Sequence, residues 1–315
     1  MILAMVVLAA ATSEVRLVMG TRAEVQVAGV DAPADAVDAA FAALDVVDRS
    51  MSLWKESELT RLNRAGEARV SPELQAVIEH ALEVAAASEG AFDPTVEPLV
   101  RAAGGIGGTK RSLTSSERAR LLAHVGAGHV HLDRANGSVR LDPGTTLDLG
   151  GIAKGYAVDL ALRALRDTGA ESGLVDLGQS SISVFGQPLT LEVRNPERPD
   201  GPAWARLSLS EGHVSTSGGD QRKDHILDPR TGRPAHRVLS ATVIAASAIE
   251  ADALSTAVFV LGPDRGLALL ERRHAAGFVL WRRRGRAVVE TTAGLRSRYA
   301  LEPAAGISVQ ERSRP

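Results

Sequence analysis

The sequence predicts an α+β protein in which mixed, largely antiparallel sheets pack against helices within one domain of two lobes. Amphipathic helical patterns cover residues 33–49, 72–88 and a segment beginning near Glu250. Pairs of strand patterns joined by short turns, typical of antiparallel hairpins, occupy residues 15–27 and 277–292. No internal repeat and no clean linker divides the 315 residues, so a sizeable shared core is expected.

The amino-acid composition excludes several classes of function. The formal net charge is -2, which excludes the global basic field of a nucleic-acid-binding protein, so no nucleic-acid partner is expected. The chain contains no cysteine. Thiolate catalysis, thiolate metal sites and disulfides are therefore excluded.

The N-terminus supports two interpretations. Residues 2–11 are an apolar run followed by small residues, which is typical of a signal-peptide core, although no positive charge precedes it. The run is too short to span a membrane, and without cysteine a lipid anchor at a mature N-terminal Cys is excluded. We expect a signal peptide or N-terminal extension at 1–14, the main domain at 15–300 and a tail at 301–315. Export, to the periplasm or elsewhere, is the prediction; a buried first strand in a cytoplasmic protein is the alternative.

A glycine-rich turn near the middle of the chain is the first candidate site. Asp148, Gly150 and Gly151 end an apolar run and lead into a helical pattern that begins near Ile152, with Lys154 in its first turn. Free N–H groups and the positive end of a helix favour anions, so this turn is suited to phosphate. The alternative is an ordinary strand–turn–helix whose glycines only form the turn.

Three segments are predicted to be irregular. Residues 91–100 carry two prolines and are expected to be extended or turned. Residues 102–120 are rich in Gly and Ser and are expected to form a flexible loop. Residues 213–237 form a polar connection dense in Gly, Pro and Asp, and connections of that length in compact domains are usually functional.

The last long helix offers oxygen ligands for a hard cation. Asp252 and Thr256 are four residues apart, so their side chains reach one surface patch of the helix. A carboxylate and a hydroxyl suit Mg²⁺ or Ca²⁺ rather than zinc. Alternatively, the Asp satisfies free N–H groups at the helix start and the Thr bonds back to its own helix.

Three histidines are candidates for chemistry. His225 lies in the polar connection, and because histidine titrates near neutral pH it could act as a general base toward an alcohol. A loop histidine with a purely structural hydrogen bond is the alternative. His129 and His131 lie on one face of a probable strand, but no third metal ligand is near them in the sequence, and exposed strand histidines are commoner than metal ligands.

Together these motifs resemble the ApbE family, the FAD:protein FMN transferases. The resemblance extends from residue 15 to the C-terminal hairpin, and its motifs stand in the family's order. They are MGT (19–21), SLWKESELTRLN (52–63), AFDPTVEPLV (91–100), DLGGIAKGYAVD (148–159), TSGG with HILDPRTGRP (216–234) and ADALSTAVFVLG (251–262).

The resemblance implies an activity and its participants. It implies Mg²⁺-dependent transfer of FMN from FAD to a Thr or Ser hydroxyl of an acceptor flavoprotein, with release of AMP. Any association of the protein with the membrane side would be weak and would occur through its target protein. The residues that match the family's metal positions are Gly151 (through its carbonyl), Asp252, Ser255 and Thr256. Those that match its FAD contacts are Met19, Trp54, Ala91, Phe92, Asp93, Asp148, Lys154 and Ile226.

Two departures and two alternatives accompany the resemblance. Trp54 stands where the family usually has Tyr, which preserves ring stacking but removes a hydroxyl. Gln179 and Ser180 stand where the family commonly has Gly and Asp, which puts the identity of the target in doubt. The same site could instead hydrolyse FAD to FMN and AMP, or the protein could bind FAD without chemistry.

Overall fold

The computed structural model describes residues 2–4, 11–197, 201–218, 225–304 and 308–312. Its helices are α1 (Pro33–Met51), α2 (Glu58–Ala65), α3 (Pro72–Ala87), α4 (Glu97–Ala102), α5 (Ser115–Leu122), α6 (Ala153–Asp167), α7 (Ala248–Leu261), α8 (Pro263–Arg272) and α9 (Leu295–Arg298). Its strands are β1 (Ile2–Ala4), β2 (Thr12–Val18), β3 (Thr21–Ala28), β4 (Glu67–Arg69), β5 (Val130–Asp133), β6 (Ser138–Leu141), β7 (Ser172–Leu177), β8 (Ser181–Phe185), β9 (Leu189–Val193), β10 (Ala205–Leu209), β11 (Gly212–Gly218), β12 (Leu227–Asp228), β13 (Arg233–Pro234), β14 (Val238–Ala245), β15 (Ala276–Arg283), β16 (Arg286–Thr291), β17 (Ala300–Pro303) and β18 (Ser308–Glu311).

A nine-stranded sheet forms the centre of the described structure. Its strand order is β18-β16-β15-β14-β11-β8-β7-β3-β2. Neighbouring strands pair antiparallel throughout, except β16 and β18, which pair parallel. The predicted class, largely antiparallel sheets with packed helices, is confirmed.

The two faces of this sheet bury two hydrophobic cores. On β7, Val175 and Leu177 point into the core beneath the helices, whereas Leu174 points into the second core. Successive side chains of a strand point to opposite faces, so this alternation assigns each residue of the sheet to a side. The second core is closed by a four-stranded sheet of order β1-β9-β10-β17.

Helices α1, α6 and α7 pack side by side over the first core. Helix α7 is buried nearly all round, as expected for a helix whose residues are apolar on every face. Gly155 permits the close approach of α6 to α7, because a Cβ at this position would lie 2.2 Å from the carbonyl oxygen of Ala248. Helix α7 therefore places any polar side chain it carries inside the protein.

Helix positions agree with the sequence where capping signals are strong. The segments predicted as helices from residues 33 and 72 form α1 and α3. Ser57 caps α2 by accepting from the amide of Thr60, whose hydroxyl in turn accepts from the amide of Ser57. Local chemistry was sufficient to predict these starts.

The irregular segments contain more regular structure than predicted. The prediction that residues 91–100 are extended or turned is wrong in its second half: a 3₁₀ turn (Pro94–Val96) leads into α4, because proline is favoured in the first turn of a helix. Within the predicted flexible loop, Thr114 and Glu117 form a capping box that starts α5. The polar connection begins with β11 and contains the small hairpin of β12 and β13.

Both chain ends contribute strands. Backbone pairing joins β1 to β9, while residues 5–10 of the predicted signal segment lie outside the described residues. In the tail, β17 pairs with β10 and β18 with β16. Among the helices of the described residues, none has the length and apolar composition needed to cross a membrane. The domain limits and export stay predictions.

Candidate functional site

Helices α6 and α7 cap each other's N-termini. Asp252 on α7 accepts a hydrogen bond from the amide of Gly155 in the first turn of α6, at 2.9 Å. Asp159 on α6 accepts from the amides of Ala248 and Ile249 at the start of α7, at 2.7 and 2.9 Å. Free N–H groups at a helix start need such acceptors. The glycine-rich turn and the last long helix are thereby locked together.

The second oxygen of Asp252 lies under the large sheet. Its Oδ1 accepts from the hydroxyls of Ser181 at 3.2 Å and Ser215 at 3.0 Å, and the ammonium of Lys154 lies 4.0 Å away. Asp252 is 4% exposed. A buried carboxylate needs this number of donors, because an unpaired buried charge is strongly destabilising.

Hydroxyl groups surround the next turn of α7. The hydroxyl of Ser217 lies 2.8 Å from that of Ser255 and 3.3 Å from that of Thr256. Ser255 also donates to the carbonyl of Asp252 at 2.9 Å. Gly151 lies against Thr256, since a Cβ at Gly151 would be 3.4 Å from the Thr256 hydroxyl oxygen. The predicted metal positions are thus brought together.

This donor set fits a hard divalent cation. Its members are carboxylate, hydroxyl and backbone carbonyl oxygens, which Mg²⁺ prefers. Oδ2 of Asp252 accepts one hydrogen bond and has a second acceptor direction, and the serine hydroxyls can rotate. In the described residues, no group of three or more His, Asp or Glu side chains could hold a metal. A cation here would therefore depend on one carboxylate and neutral oxygens.

The AFDPTVEPLV motif (91–100) packs against the glycine-rich turn at residues 148–151. A Cβ at Gly151 would lie 3.2 Å from the ring of Phe92, and the amide of Asp148 donates to the carbonyl of Pro94 at 2.7 Å. Burial raises the pKa of Asp148, and nearby Glu97 raises it further, against the hydrogen bond from Gly150 and the positive charge of Lys154. Ala91, the remaining predicted contact of this motif, is buried beside Phe92.

The carboxylate of Asp93 serves the fold. It accepts from the amide and hydroxyl of Thr95 and from the amide of Ala127. Burial is the main influence on its pKa, which it raises against these hydrogen bonds. Asp93 is 6% exposed. Its hydrogen bonds hold the backbone near Phe92 and Pro94 in place.

Trp54 lies apart from the α6–α7 junction, on the wall of a cavity of about 790 Å³. The indole residue is 65% exposed. Glu97 and Thr146 line the same cavity, and Thr146 precedes Asp148 by two residues. The strip of chain from residue 146 to residue 151 therefore connects the cavity with the glycine-rich turn.

Two hairpin turns approach the junction from the side of β3. Met19 and Gly20, both at positive φ, form the tight turn between β2 and β3. Gly178 in the β7–β8 turn donates to the carbonyl of Arg22 at 2.8 Å, and Ser181 follows this turn. Gln179, also at positive φ, belongs to the same turn. Met19 and the β7–β8 turn are therefore close neighbours, on a path that leads to Asp252.

Asp176 lies on the opposite face of the large sheet, on the side of the second core. Its carboxylate accepts from the amide of Gln179 at 2.8 Å, and burial raises its pKa to about 7, with the charge of Glu24 adding to the effect and that of Arg22 opposing it. The hydrogen bond that anchors the β7–β8 turn is therefore accepted by a buried carboxyl whose pKa is raised.

Ile226 and His225 lie beyond the end of β11. Ile226 packs partly buried against the first core, and its carbonyl accepts from the amide of Ala235. The β12–β13 turn reaches the AFDPTVEPLV motif, since a Cβ at Gly232 would lie 3.0 Å from the side chain of Leu99. His225 is exposed and has an interaction of its own. Its role stays a prediction.

The other histidines have partners away from this site. Nδ1 of His129 lies 3.1 Å and Nε2 of His131 2.8 Å from the carboxylate of Asp142, and these contacts lower the pKa of Asp142. Nδ1 of half-buried His213 faces both Ser183 at 2.8 Å and Asp159 at 3.5 Å. Because one ring nitrogen serves both neighbours, this trio does not have the geometry of a nucleophilic triad.

Sequence reasoning missed several residues of the site. Ser181, Ser215 and Ser217 occupy the helix-facing positions of β8 and β11, and they alternate with residues that face the other way, among them Ile182 and Val214 of the second core. Serine at alternate positions of these strands was the signal. Glu97, a buried carboxylate on the wall of the cavity, had no such periodic signal, because its helix is short.

Comparisons with known proteins agree with this arrangement. The sequence model of the ApbE family matches residues 19–279. The FAD:protein FMN transferase of Klebsiella pneumoniae is 32% identical over 287 residues, covering 83% of this chain and 82% of the relative. That of Haemophilus influenzae is 31% identical over 266 residues, covering 76% and 77%.

Solved structures have the same fold. The crystal structure of the ApbE protein from Thermotoga maritima is 30% identical with a TM-score of 0.84, and the match covers 91% of this chain and 99% of that one. The flavin transferase ApbE from Vibrio cholerae is 25% identical with a TM-score of 0.81 and the same coverage. The chain belongs to the ApbE family, and it is an enzyme.

Proposed function

We propose that the protein transfers FMN from FAD to a Thr or Ser hydroxyl of an acceptor flavoprotein, with Mg²⁺ bound and with AMP as the leaving product. One observation carries this proposal: the α6 N-terminus, Asp252 and Thr256 converge at one end of a strip whose other end lines a cavity beside Trp54. FAD has two parts that match these two ends: a charged pyrophosphate, which suits the helix N-terminus, and flat rings, which suit the cavity. The names of the relatives support the same reaction.

The chain's own residues would hold the pyrophosphate. The turn at residues 148–151 and the first turn of α6 present a helix N-terminus, which favours anions. Lys154 adds a positive charge within reach of the same place. Asp252, Thr256 and the carbonyl of Gly151 would hold Mg²⁺, which when bound reduces the charge of the pyrophosphate and polarises it. Catalysis of phosphoryl transfer consists mostly of positioning the substrate and stabilising charge, and these groups are of the types that can do both.

The bond changes follow from the substrates. The oxygen of the acceptor hydroxyl forms a bond to the phosphorus on the FMN side, and the bond between that phosphorus and the bridging oxygen breaks, so AMP leaves. We propose His225 as the group that takes the hydroxyl proton, because histidine titrates near neutral pH. The rate of the wild type should then rise through an apparent pKa near neutrality. His225→Ala should lose this rise and ~10²–10⁴-fold in transfer while keeping FAD affinity within a few-fold.

One incubation separates this function from its alternatives. The protein is mixed with FAD, Mg²⁺ and an acceptor flavoprotein domain, and the products are resolved by mass spectrometry. An FMN adduct on the acceptor together with AMP supports transfer. Free FMN with AMP supports the pyrophosphatase, which would use water at the same site, and unchanged but bound FAD supports a binding protein. Replacing the acceptor Thr or Ser by Ala is the control, since transfer must then cease.

We also propose export of the protein, supported by the apolar run at residues 2–11. Fractionation of the source cells and N-terminal sequencing would test it. A mature chain beginning after this run supports export, and a full-length chain in the cytoplasmic fraction contradicts it.

A further inference from the structure

Two neighbouring turns beside the α6–α7 junction contain non-glycine residues in the left-handed region. Met19, in the β2–β3 turn, has a φ of 52°, and Gln179, in the β7–β8 turn, has a φ of 54°. Of the residues that the structure describes, only five non-glycine residues have a positive φ. Glycine adopts this conformation without steric cost, whereas other residues are strained there. Backbone strain persists where the surrounding structure holds it, and it is concentrated at functional sites.

The β7–β8 turn is held at three successive residues. The amide of Gly178 donates to a carbonyl of β3, the amide of Gln179 donates to the carboxylate of Asp176, and the carbonyl of Ser180 accepts from an amide of β11, each at 2.8 Å. Three strands therefore fix the backbone on both sides of Gln179. The position from which its side chain starts is set by the fold.

Gln179 lies beside the predicted metal position. In the register of β8 and β11, Ser181 pairs with Ser215. Antiparallel strands run in opposite directions, so the residue two before Ser181 lies near the residue two after Ser215, which is Ser217. The hydroxyl of Ser217 is 3.3 Å from that of Thr256. Gln179 is thus placed on the sheet side of the junction.

The side chain of Gln179 is available to a ligand. It is partly exposed, and its amide has no hydrogen bond within the described residues. The space next to it is open, since a Cβ at Gly20 of the adjacent turn would meet nothing within 4 Å. Neither turn contributes to the lining of the cavity beside Trp54. A primary amide is uncharged and has both a donor and an acceptor, as a peptide group has.

The direction of the reaction favours a protein ligand at this turn. In the proposed function, the N-terminus of α6 and Lys154 hold the pyrophosphate from the helix side of the junction. In-line displacement requires the incoming hydroxyl to approach the phosphorus opposite the leaving oxygen. An acceptor that is itself a protein needs an open surface for this approach. The turns at Gly20 and Gln179 provide such a surface on the sheet side.

We propose that Gln179 binds the acceptor flavoprotein, pairing its side-chain amide with a main-chain peptide group next to the target Thr or Ser. The amide NH₂ donates to the carbonyl of that peptide group, and the amide oxygen accepts from its N–H. Gln179 is thereby a residue that positions the acceptor. The inference rests on the proposed function for the reaction, and it adds where the acceptor segment is held.

Steady-state kinetics test the inference. Initial rates of adduct formation are measured at saturating FAD against the concentration of the acceptor domain that forms the adduct in the incubation described above. We expect Gln179→Gly to raise the KM for this domain by about 5- to 30-fold, the range for losing one or two neutral hydrogen bonds. The kcat and the Kd for FAD, measured by flavin fluorescence, should stay within about twofold. The melting temperature should not fall, because glycine relieves the strained φ.

Two further variants separate the amide from the backbone. Gln179→Met keeps the length of the side chain and the strained φ but lacks the amide, so it should raise the KM as much as Gln179→Gly does. The matched control is His274→Gly, at an exposed residue with a φ of 56° in the turn between α8 and β15. This control should leave the KM, the kcat and the Kd for FAD within about twofold.

Three results would overturn the inference. An unchanged KM in both Gln179 variants would show that this side chain does not contact the acceptor. A Kd for FAD weakened by about fivefold or more would make Gln179 a nucleotide contact. A raised KM in Gln179→Gly but not in Gln179→Met would assign the effect to the backbone. Failure of the proposed function differs from all three, because the wild type would then form no FMN adduct on the acceptor, and the inference would fall with it.

Discussion

The two ends of the candidate site are built in opposite ways. At the α6–α7 junction, a carboxylate that is 4% exposed is held by an amide and two hydroxyls from three other segments of the chain. At the cavity, Trp54 is 65% exposed and Arg101 depends on a residue of its own helix. The polar groups of the junction are thus held by the protein itself, whereas Trp54 and Arg101 at the cavity face solvent.

This difference indicates how the protein divides its tasks. Charge stabilisation in a transition state requires groups that do not have to reorganise, so the junction benefits from dense hydrogen bonding. Ring binding gains from contact area and tolerates side chains that settle on the ligand. Substitutions at the junction should therefore affect rate and fold, and substitutions at the cavity should affect affinity. Three predictions test this division and one tests the buried carboxyl of Asp176 on the other face of the sheet; they are given from the largest expected effect to the smallest.

Asp252→Asn should reduce transfer by ~10²–10³-fold, about 3–4 kcal/mol, because it removes the one charged oxygen ligand at the junction. An asparagine can still accept from the amide of Gly155 and donate to a serine hydroxyl, so the fold should persist. Transfer rates and binding of Mn²⁺, measured by electron paramagnetic resonance, check both points. Chelation should abolish wild-type turnover. Full activity of Asp252→Asn in excess chelator would remove the metal from the mechanism.

Gly155→Ala should destabilise the protein by about 3 kcal/mol or more, because the added methyl group overlaps packed backbone. Its Cβ would lie 2.2 Å from the carbonyl oxygen of Ala248 and 2.7 Å from Cβ of Asp252. The midpoint of chemical denaturation measures the effect. Gly169→Ala is a partial control, since nothing lies near its Cβ although its φ is positive. An unchanged midpoint in Gly155→Ala would mean that the α6–α7 crossing is looser than described.

Asp176→Asn should change how stability depends on pH. The carboxyl of Asp176 has a pKa raised by burial from 3.8 to about 7, so between these values the folded state binds a proton that the unfolded state has lost. This contribution to the free energy of unfolding is complete below the lower value and is lost as the pH rises through about 7; between pH 5 and pH 8 the loss is on the order of 3 kcal/mol. The variant should lack this loss. Melting temperatures of both proteins at pH 5 and pH 8 provide the measurement, and parallel curves would contradict the assignment.

Trp54→Ala should weaken FAD binding by about 1–3 kcal/mol, the range for an aromatic side chain stacked on a base, with little change in the rate at saturating FAD. FAD binding should quench tryptophan emission in the wild type, and most of that quenching should vanish in the variant. Trp204 is 2% exposed in the second core, so Trp204→Phe should retain it. Equal quenching and affinity after loss of Trp54 would place the ring elsewhere.

Much of the fold could be predicted from local sequence. The starts of α1, α2 and α3 follow from proline and capping serines. The antiparallel pairing of β2 with β3 and of β15 with β16 follows from short turns. The starts of α4 and α5 were missed because proline and glycine were interpreted only as breakers, although Pro98 lies in the first turn of α4 and Thr114 caps α5.

The site was predictable in part, for a similar reason. The motif order led to Asp252, Thr256 and Gly151, and the structure brings them together. The alternative interpretation, that Asp252 satisfies free N–H groups at the start of its own helix, is wrong: Asp252 caps α6, whereas Ser247 and Asp159 cap α7. Local sequence could not identify the distant helix start that this carboxylate reaches.

The sequence by itself determined most of the long helices and hairpins, the family and many of the residue types of the site, because capping, periodicity and short motifs act over a few residues. The tertiary structure alone decided which distant groups meet. Gly155 and Asp252 are 97 residues apart, and Asp159 and Ala248 are 89 apart. It likewise placed Trp54 in a cavity with Arg101. The reason is physical: a buried carboxylate must find donors wherever packing places them, and packing depends on the shape of the whole core.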